Sequence, residues 1–222
     1  MGGHLLACNV FKLGFFALGL ALLGACSSYS FKVASDFPVP VMEQQPFVAG
    51  LYLDPAIRNY RYQEAEPDRA SWNIEFGEAN ARLFQQIFAG MFRQTVSLDQ
   101  GELNQLPPNV DILIQPVLMD YQISTPSVNK TEYFEVWIKY KLKVADSNRQ
   151  PVTEWVFTAY GRTPKSGSGG PETALQEATR RAMRDAAAAI VTGFLKQPKV
   201  QGYLNGLDRA IQASAEPVET TL

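Results

Sequence analysis

Histidine and thiol chemistry are almost absent from this 222-residue chain: its one histidine is His4, and its two cysteines are Cys8 and Cys26. Positive charge is also scarce, with 20 Lys and Arg against 22 Asp and Glu, so no bulk field exists to recruit nucleic acid. A phosphate-binding loop is missing as well. Gly161 to Gly170 contains Lys165-Ser166 among glycines, but Pro164 stands where the loop needs a Gly before its Lys. The one sustained apolar run, Leu13 to Ala25, is shorter than the about 20 residues that span a bilayer.

That run ends in Leu23-Gly24-Ala25-Cys26, with Lys12 the only formal charge before it. A short apolar stretch closed by small residues reads as an export signal rather than as part of the fold. The box resembles the bacterial lipoprotein signal, in which the Cys thiol takes a diacylglycerol and the new amino terminus is acylated. The resemblance implies cleavage before Cys26 and anchoring by three acyl chains, above the two-signal threshold for stable membrane attachment. Ser27 follows the Cys where an Asp would favour the inner membrane, so the resemblance implies the periplasmic face of the outer membrane.

Cleavage there leaves 197 residues, without histidine or free thiol, carrying a formal charge of −3 once Lys12 is lost. A Ser-His-Asp or Cys-His machine then lacks its general base, and zinc its usual ligands. No cofactor or metal is expected. Hydrophobic residues at 46% and aromatics at 11% argue for a packed core rather than a disordered spacer.

Within the mature chain, 26–45 reads as the lipidated Cys and a Pro-containing tether, up to roughly 50 Å if extended. Phe31, Val33 and Phe37 favour the alternative that part of it packs on the domain. Residues 46–212 read as one α+β periplasmic domain and 213–222 as a frayed tail. Phe47 to Leu53 predicts a strand, and Arg58 to Ala70 a loop with an irregular strand. Gly77 to Val96 predicts a helix from its stripe Leu83, Phe84, Ile87, Phe88, Met91, Phe92 and Val96. Val110 to Gln122 predicts a second strand, at an edge or bulged because of Pro116.

Phe134, Val136, Ile138, Tyr140, Leu142 and Val144 fall on one face of a strand and Glu135, Trp137, Lys139, Lys141 and Lys143 on the other, the pattern of a half-buried strand. Pairing it with Val152 to Gly161 through a loop at Ser147 to Gln150 sets Asp146 opposite Pro151. The same register sets Leu142 opposite Trp155, Tyr140 opposite Phe157, Lys143 opposite Glu154 and Trp137 opposite Tyr160. Glu172 to Leu195 predicts a helix with a small-residue face, stopped by Pro198, and a shorter helix follows at Val200 to Ile211. The expected fold is therefore an antiparallel sheet of about four strands with two main helices on one face, in the order β-α-β-β-β-α.

This order, with Asp111-Ile112-Leu113-Ile114-Gln115 after a break, the long hairpin Tyr133 to Tyr160 and the closing Ala-rich helix, resembles a group of outer-membrane lipoproteins over about residues 46 to 205. The group includes the YajG-type lipoproteins, the lipopolysaccharide-assembly lipoprotein LptE, and relatives of the TolB amino-terminal and CsgG periplasmic domains. From it only Cys26 carries over residue for residue. The resemblance implies a non-catalytic accessory or scaffold subunit in envelope assembly, transport or export, with an envelope protein partner and room for an oligomer.

A different reading uses the outer face of the hairpin. Trp137, Lys139, Lys141 and Lys143, with Tyr160 alongside, form a basic ladder suited to lipopolysaccharide or another anionic glycan; its lysines also suit a solvated face that deters edge pairing. A third reading, a polysaccharide hydrolase, has Asp111, Asp120, Glu132 and Glu135 as nominal carboxylates, with no pair singled out by spacing.

Overall fold

The computed structural model describes residues 27–34, 36–65, 69–167 and 169–215. The signal segment, Cys26 and the last seven residues lie outside them. Among the described residues, the strands form two mixed sheets. One has three strands in the order β1 (Ser28–Lys32), β4 (Ser71–Glu75), β3 (Arg61–Glu64); the other has five, β5 (Phe92–Leu98), β2 (Gln45–Tyr52), β6 (Ile112–Ser124), β7 (Tyr133–Asp146), β8 (Pro151–Pro164). The described residues also form five helices: α1 (Pro55–Arg58), α2 (Gly77–Met91), α3 (Pro126–Asn129), α4 (Pro171–Gly193) and α5 (Pro198–Ala215).

The architecture is α+β as expected, but the four-strand antiparallel sheet with two helices is corrected. β2 lies between β5 and β6 and runs parallel to both. Its near-continuous apolar run is buried on both faces, as central parallel strands are. A parallel neighbour needs a crossover, and α2 supplies one before the chain returns as β5. The predicted helix over Gly77 to Val96 therefore ends early: Phe92 takes an extended backbone and opens β5. Phe92 is buried at that junction, so it satisfies the helical stripe while the β-branched Thr95 and Val96 favour a strand.

The tether is corrected in the same way for its apolar residues. β1 pairs in parallel with β4, from Ser28 opposite Ser71 to Lys32 opposite Glu75. Phe31, Val33 and Phe37 are buried in the main core. Pro198, expected to stop one helix, begins the next. Pro116 stands two residues past the last β2 rung, Leu51 opposite Ile114, so it interrupts nothing on that side, and the bulge falls between Leu118 and Asp120.

The hairpin matches its predicted register: Leu142 faces Trp155, Tyr140 faces Phe157, Lys143 faces Glu154 and Trp137 faces Tyr160. Only the turn end differs, where an irregularity after Val144 sets Ala145, not Asp146, opposite Pro151. The inner face from Phe134 to Val144 is buried without exception. On it, Tyr140 meets Phe84 edge-on at 5.4 Å and donates to Asn80 Oδ1 at 2.6 Å. Burial holds the Tyr140 phenol well above its usual ionisation range, so it stays a donor.

Helix α4 lies on β7 and β8, and its small residues Ala174, Ala178, Ala182 and Ala186 are fully buried. The approach is so close that a methyl group on Gly161 of β8 would stand 2.1 Å from the Ala178 carbonyl oxygen. α4 also reaches β1, where Gln176 Nε2 donates to the Lys32 carbonyl at 3.1 Å. The amino-terminal strand is thus tied to the helix layer.

Candidate functional site

The outer face of the hairpin carries the residues that the sequence nominates. Trp137, Lys139, Lys141 and Lys143 project from alternate positions of β7, and the Trp137 and Tyr160 rings lie 5.3 Å apart. Acidic side chains share the face. Lys141 Nζ holds Glu154 Oε2 at 2.7 Å, and that hydrogen bond keeps the Glu154 carboxyl below its usual range. Asp120 stands opposite Lys139 in the ladder. The Tyr160 hydroxyl donates to Glu135 Oε1 at 2.6 Å, while Glu135 Oε2 accepts from Asn129 at 2.9 Å. Asp120, Glu135 and Glu154 thus share the surface with the three lysines and with Arg162 opposite Glu135, which weakens the positive field that the basic side chains alone would make.

The four carboxylates nominated for hydrolysis do not gather. Asp111 precedes the β6 residue paired with Asp146, at the far end of β7 from Glu132. The strand's 14 residues put them about 45 Å apart. Asp111 instead latches β2, accepting from the Val48 N–H at 2.8 Å through its side chain, and its carbonyl accepts the Tyr203 hydroxyl at 2.7 Å. Asp120 accepts from Gln122 at 2.6 Å. It stands beside Lys139, four residues from Glu135 along β7, or roughly 13 Å.

Sequence reasoning missed a pocket at the opposite end from the hairpin turn. Its volume is about 590 Å³, and it is lined by Tyr29 of β1, Trp72 of β4, Pro126 and Lys130 around α3, Phe134 of β7 and Lys165 after β8. Tyr29 and Trp72 stack at 4.6 Å with their planes 24° apart. Lys130 closes α3 in a left-handed conformation, φ 59°, and its ammonium reaches back to the Ser127 carbonyl at 2.7 Å. Exposed side chains stand at the same end of the domain: Val128, next to the lining Ser127, is 45% exposed, and Tyr133, on the outer face of β7, is 37% exposed with the Arg162 guanidinium 4.9 Å above its ring.

The chain enters the fold at this pocket. The Ser27 carbonyl accepts the Ser71 N–H at 3.0 Å, and the adjacent Ala70 lines the pocket wall. The only signal in the sequence was the pair of aromatics near two short strands, neither of which has the length to announce itself. Cys26 itself lies outside the described residues. Among those residues no helix is long and apolar enough to cross a membrane.

Two mixed sheets with helices packed on the larger one define an α+β domain. No protein family matches the chain by sequence, and no curated protein matches it. Solved structures similar to it include protein XCC0632 from Xanthomonas campestris, of family DUF330, at 14% identity and TM-score 0.46, covering 83% of this chain and 99% of that one. A minor lipoprotein from Acinetobacter baumannii is similar at 14% identity and TM-score 0.36, covering 69% of this chain and 91% of that one. Lipoprotein GNA1162 from Neisseria meningitidis is similar at 13% identity and TM-score 0.28, covering 68% and 100%. At TM-scores below 0.5 these likenesses say nothing about what this chain binds.

Proposed function

We propose that this chain is a non-catalytic, lipid-anchored protein of the bacterial envelope, held on the periplasmic face of the outer membrane as an accessory recognition subunit of an assembly, transport or export system. One observation supports it above the rest. The lipobox Leu23 to Cys26 is followed by strand β1, which begins at Ser28. Two residues span at most about 7 Å. The acylated Cys26 would therefore hold the domain against the bilayer with almost no spacer, in place of the roughly 50 Å reach of a free tether.

Such an anchor fixes orientation as well as location. The end carrying Tyr29, α3 and the pocket faces the membrane, and the hairpin turn at Ser147 to Gln150 points away. Restricting the domain to a layer at the membrane raises its effective concentration for a membrane partner without any new contact.

The test is the mass of the mature protein purified from its native membrane. Cleavage before Cys26 with a diacylglyceryl and an amide-linked acyl group supports the reading, and Cys26→Ala then yields an unprocessed chain. A retained leader or an unmodified Cys26 would refute it. Crosslinking from Asn148, at the end turned away from the membrane, then reads whether an envelope protein docks there.

A further inference from the structure

We propose that the pocket beside Tyr29 is a phospholipid site, taking an anionic phospholipid of the leaflet in which the protein is anchored. The inference rests on the anchored reading and deepens it. Three independent features meet at this pocket. Its place is set by the chain: residues 1–26 lead into Ser27, which is hydrogen-bonded to Ser71 next to the pocket wall, so an anchor at Cys26 brings the opening to the head-group layer.

Its lining is divided as a phospholipid is divided. Tyr29, Trp72, Phe134 and Pro126 offer an apolar wall, while Lys130, whose ammonium also holds the Ser127 carbonyl, and Lys165 make the lining basic against the one acidic residue, Glu132. A phosphodiester gains from such point charges, and glycerol and the first acyl carbons gain from the apolar wall. A volume of about 590 Å³ lies within the range of sites that enclose a ligand of drug size. That accommodates a head group with the start of its chains, and the remainder stays in the bilayer.

The end of the domain that carries the pocket suits the interface too. Val128, next to the lining Ser127, is exposed there, and so is Tyr133 on the outer face of β7, with Arg162 over its ring. Aromatic rings with a polar tip and basic side chains with apolar stems favour the head-group level. A protein partner is the competing occupant. The position of the anchor favours lipid, because a partner would have to enter between the domain and its own membrane.

The experiment uses the purified full chain in a nonionic detergent, titrated calorimetrically with dihexanoyl-phosphatidylglycerol, dihexanoyl-phosphatidylcholine and inorganic phosphate. Saturable binding of phosphatidylglycerol is expected, with the other two about tenfold weaker or more. Lys130→Glu with Lys165→Glu lowers that affinity about tenfold at an unchanged thermal midpoint. Ala70→Phe fills the pocket without changing charge and lowers it as well, which keeps the test decisive if the lysine variant folds poorly. Equal affinity for the two lipids, phosphate binding as tight as lipid, or phosphatidylglycerol binding untouched by the variants would overturn the proposal. Flotation with vesicles reads the anchor separately. A chain that floats but takes no phosphatidylglycerol overturns the pocket alone, and one that binds the lipid without floating overturns the anchor alone.

Discussion

Replacing Gly161 by Ala should destabilise the protein, although glycine in a strand is normally the weaker choice by about 0.5 to 1 kcal/mol. The added methyl would stand 2.1 Å from the Ala178 carbonyl oxygen and 2.3 Å from the Ala182 nitrogen. Both are backbone atoms of α4, so no side-chain rotation relieves the clash. The helix must move by more than 1 Å from β8, and the fully buried alanines that hold it there lose their contacts. Overpacking of this kind costs about 1 to 3 kcal/mol, and the rigid neighbours put Gly161→Ala near 3. With a urea m-value of about 2 to 3 kcal/mol/M for a chain of this size, the unfolding midpoint falls by about 1 M. Gly202→Ala in α5 is the control, because its added carbon meets nothing within 4 Å. It should stabilise by about 0.5 to 1 kcal/mol. Gly161→Ala within 0.5 kcal/mol of the parent, or Gly202→Ala as harmful, would refute the reasoning.

Tyr140→Phe removes the donor to Asn80 Oδ1 in a site where Asn80 Nδ2 already lacks a partner. A loss of about 1 to 3 kcal/mol is expected in chemical denaturation, and Asn80→Leu added to it should restore part of the loss, since no orphaned polar group then remains. Alkaline unfolding follows from the same tyrosine and from Tyr121, whose phenols burial raises above the usual value. The unfolded phenols ionise near pH 10, so their contribution is complete below that pH and is lost above it, at about 1.4 kcal/mol per pH unit for each residue. A stability curve flat from pH 10 to 12 would contradict this. Lys139→Glu with Lys143→Glu leaves the Lys141–Glu154 pair in place and tests the hairpin face. Lipopolysaccharide affinity changed less than about twofold fits the mixed charge of that face, whereas abolished binding would favour the glycan reading.

The elements legible in advance are those whose pattern repeats over many residues. Six apolar residues at alternate positions from Phe134 to Val144, with Glu154 as an outward marker on the partner strand, allow one register. The Ala-rich face of α4 likewise announces a close approach. Four- and five-residue strands such as β3 and β4 contain too few repeats to stand out from a loop, and they exist because they pair with each other and with β1. Whether β2 has parallel neighbours depends on where α2 returns the chain, a long-range fact that local pattern does not hold. Phe92 hid a helix end because one buried aromatic serves both periods. The pocket was illegible for a related reason: its walls come from five separated segments, and no two of its aromatics share a motif.

The most direct test of the account measures how the two ends of the domain sit relative to the bilayer. If the leader is removed and Cys26 acylated as proposed, no free thiol remains, so Val128→Cys and Asn148→Cys can each be spin-labelled alone in reconstituted vesicles. The length of β7 separates these ends by about 45 Å. Power saturation should place the label at residue 128 in the head-group layer, accessible to lipid-soluble relaxant, and the label at residue 148 in bulk solvent. Equal accessibility of both labels to the aqueous relaxant, or a chain that fails to stay on the vesicles, would contradict it.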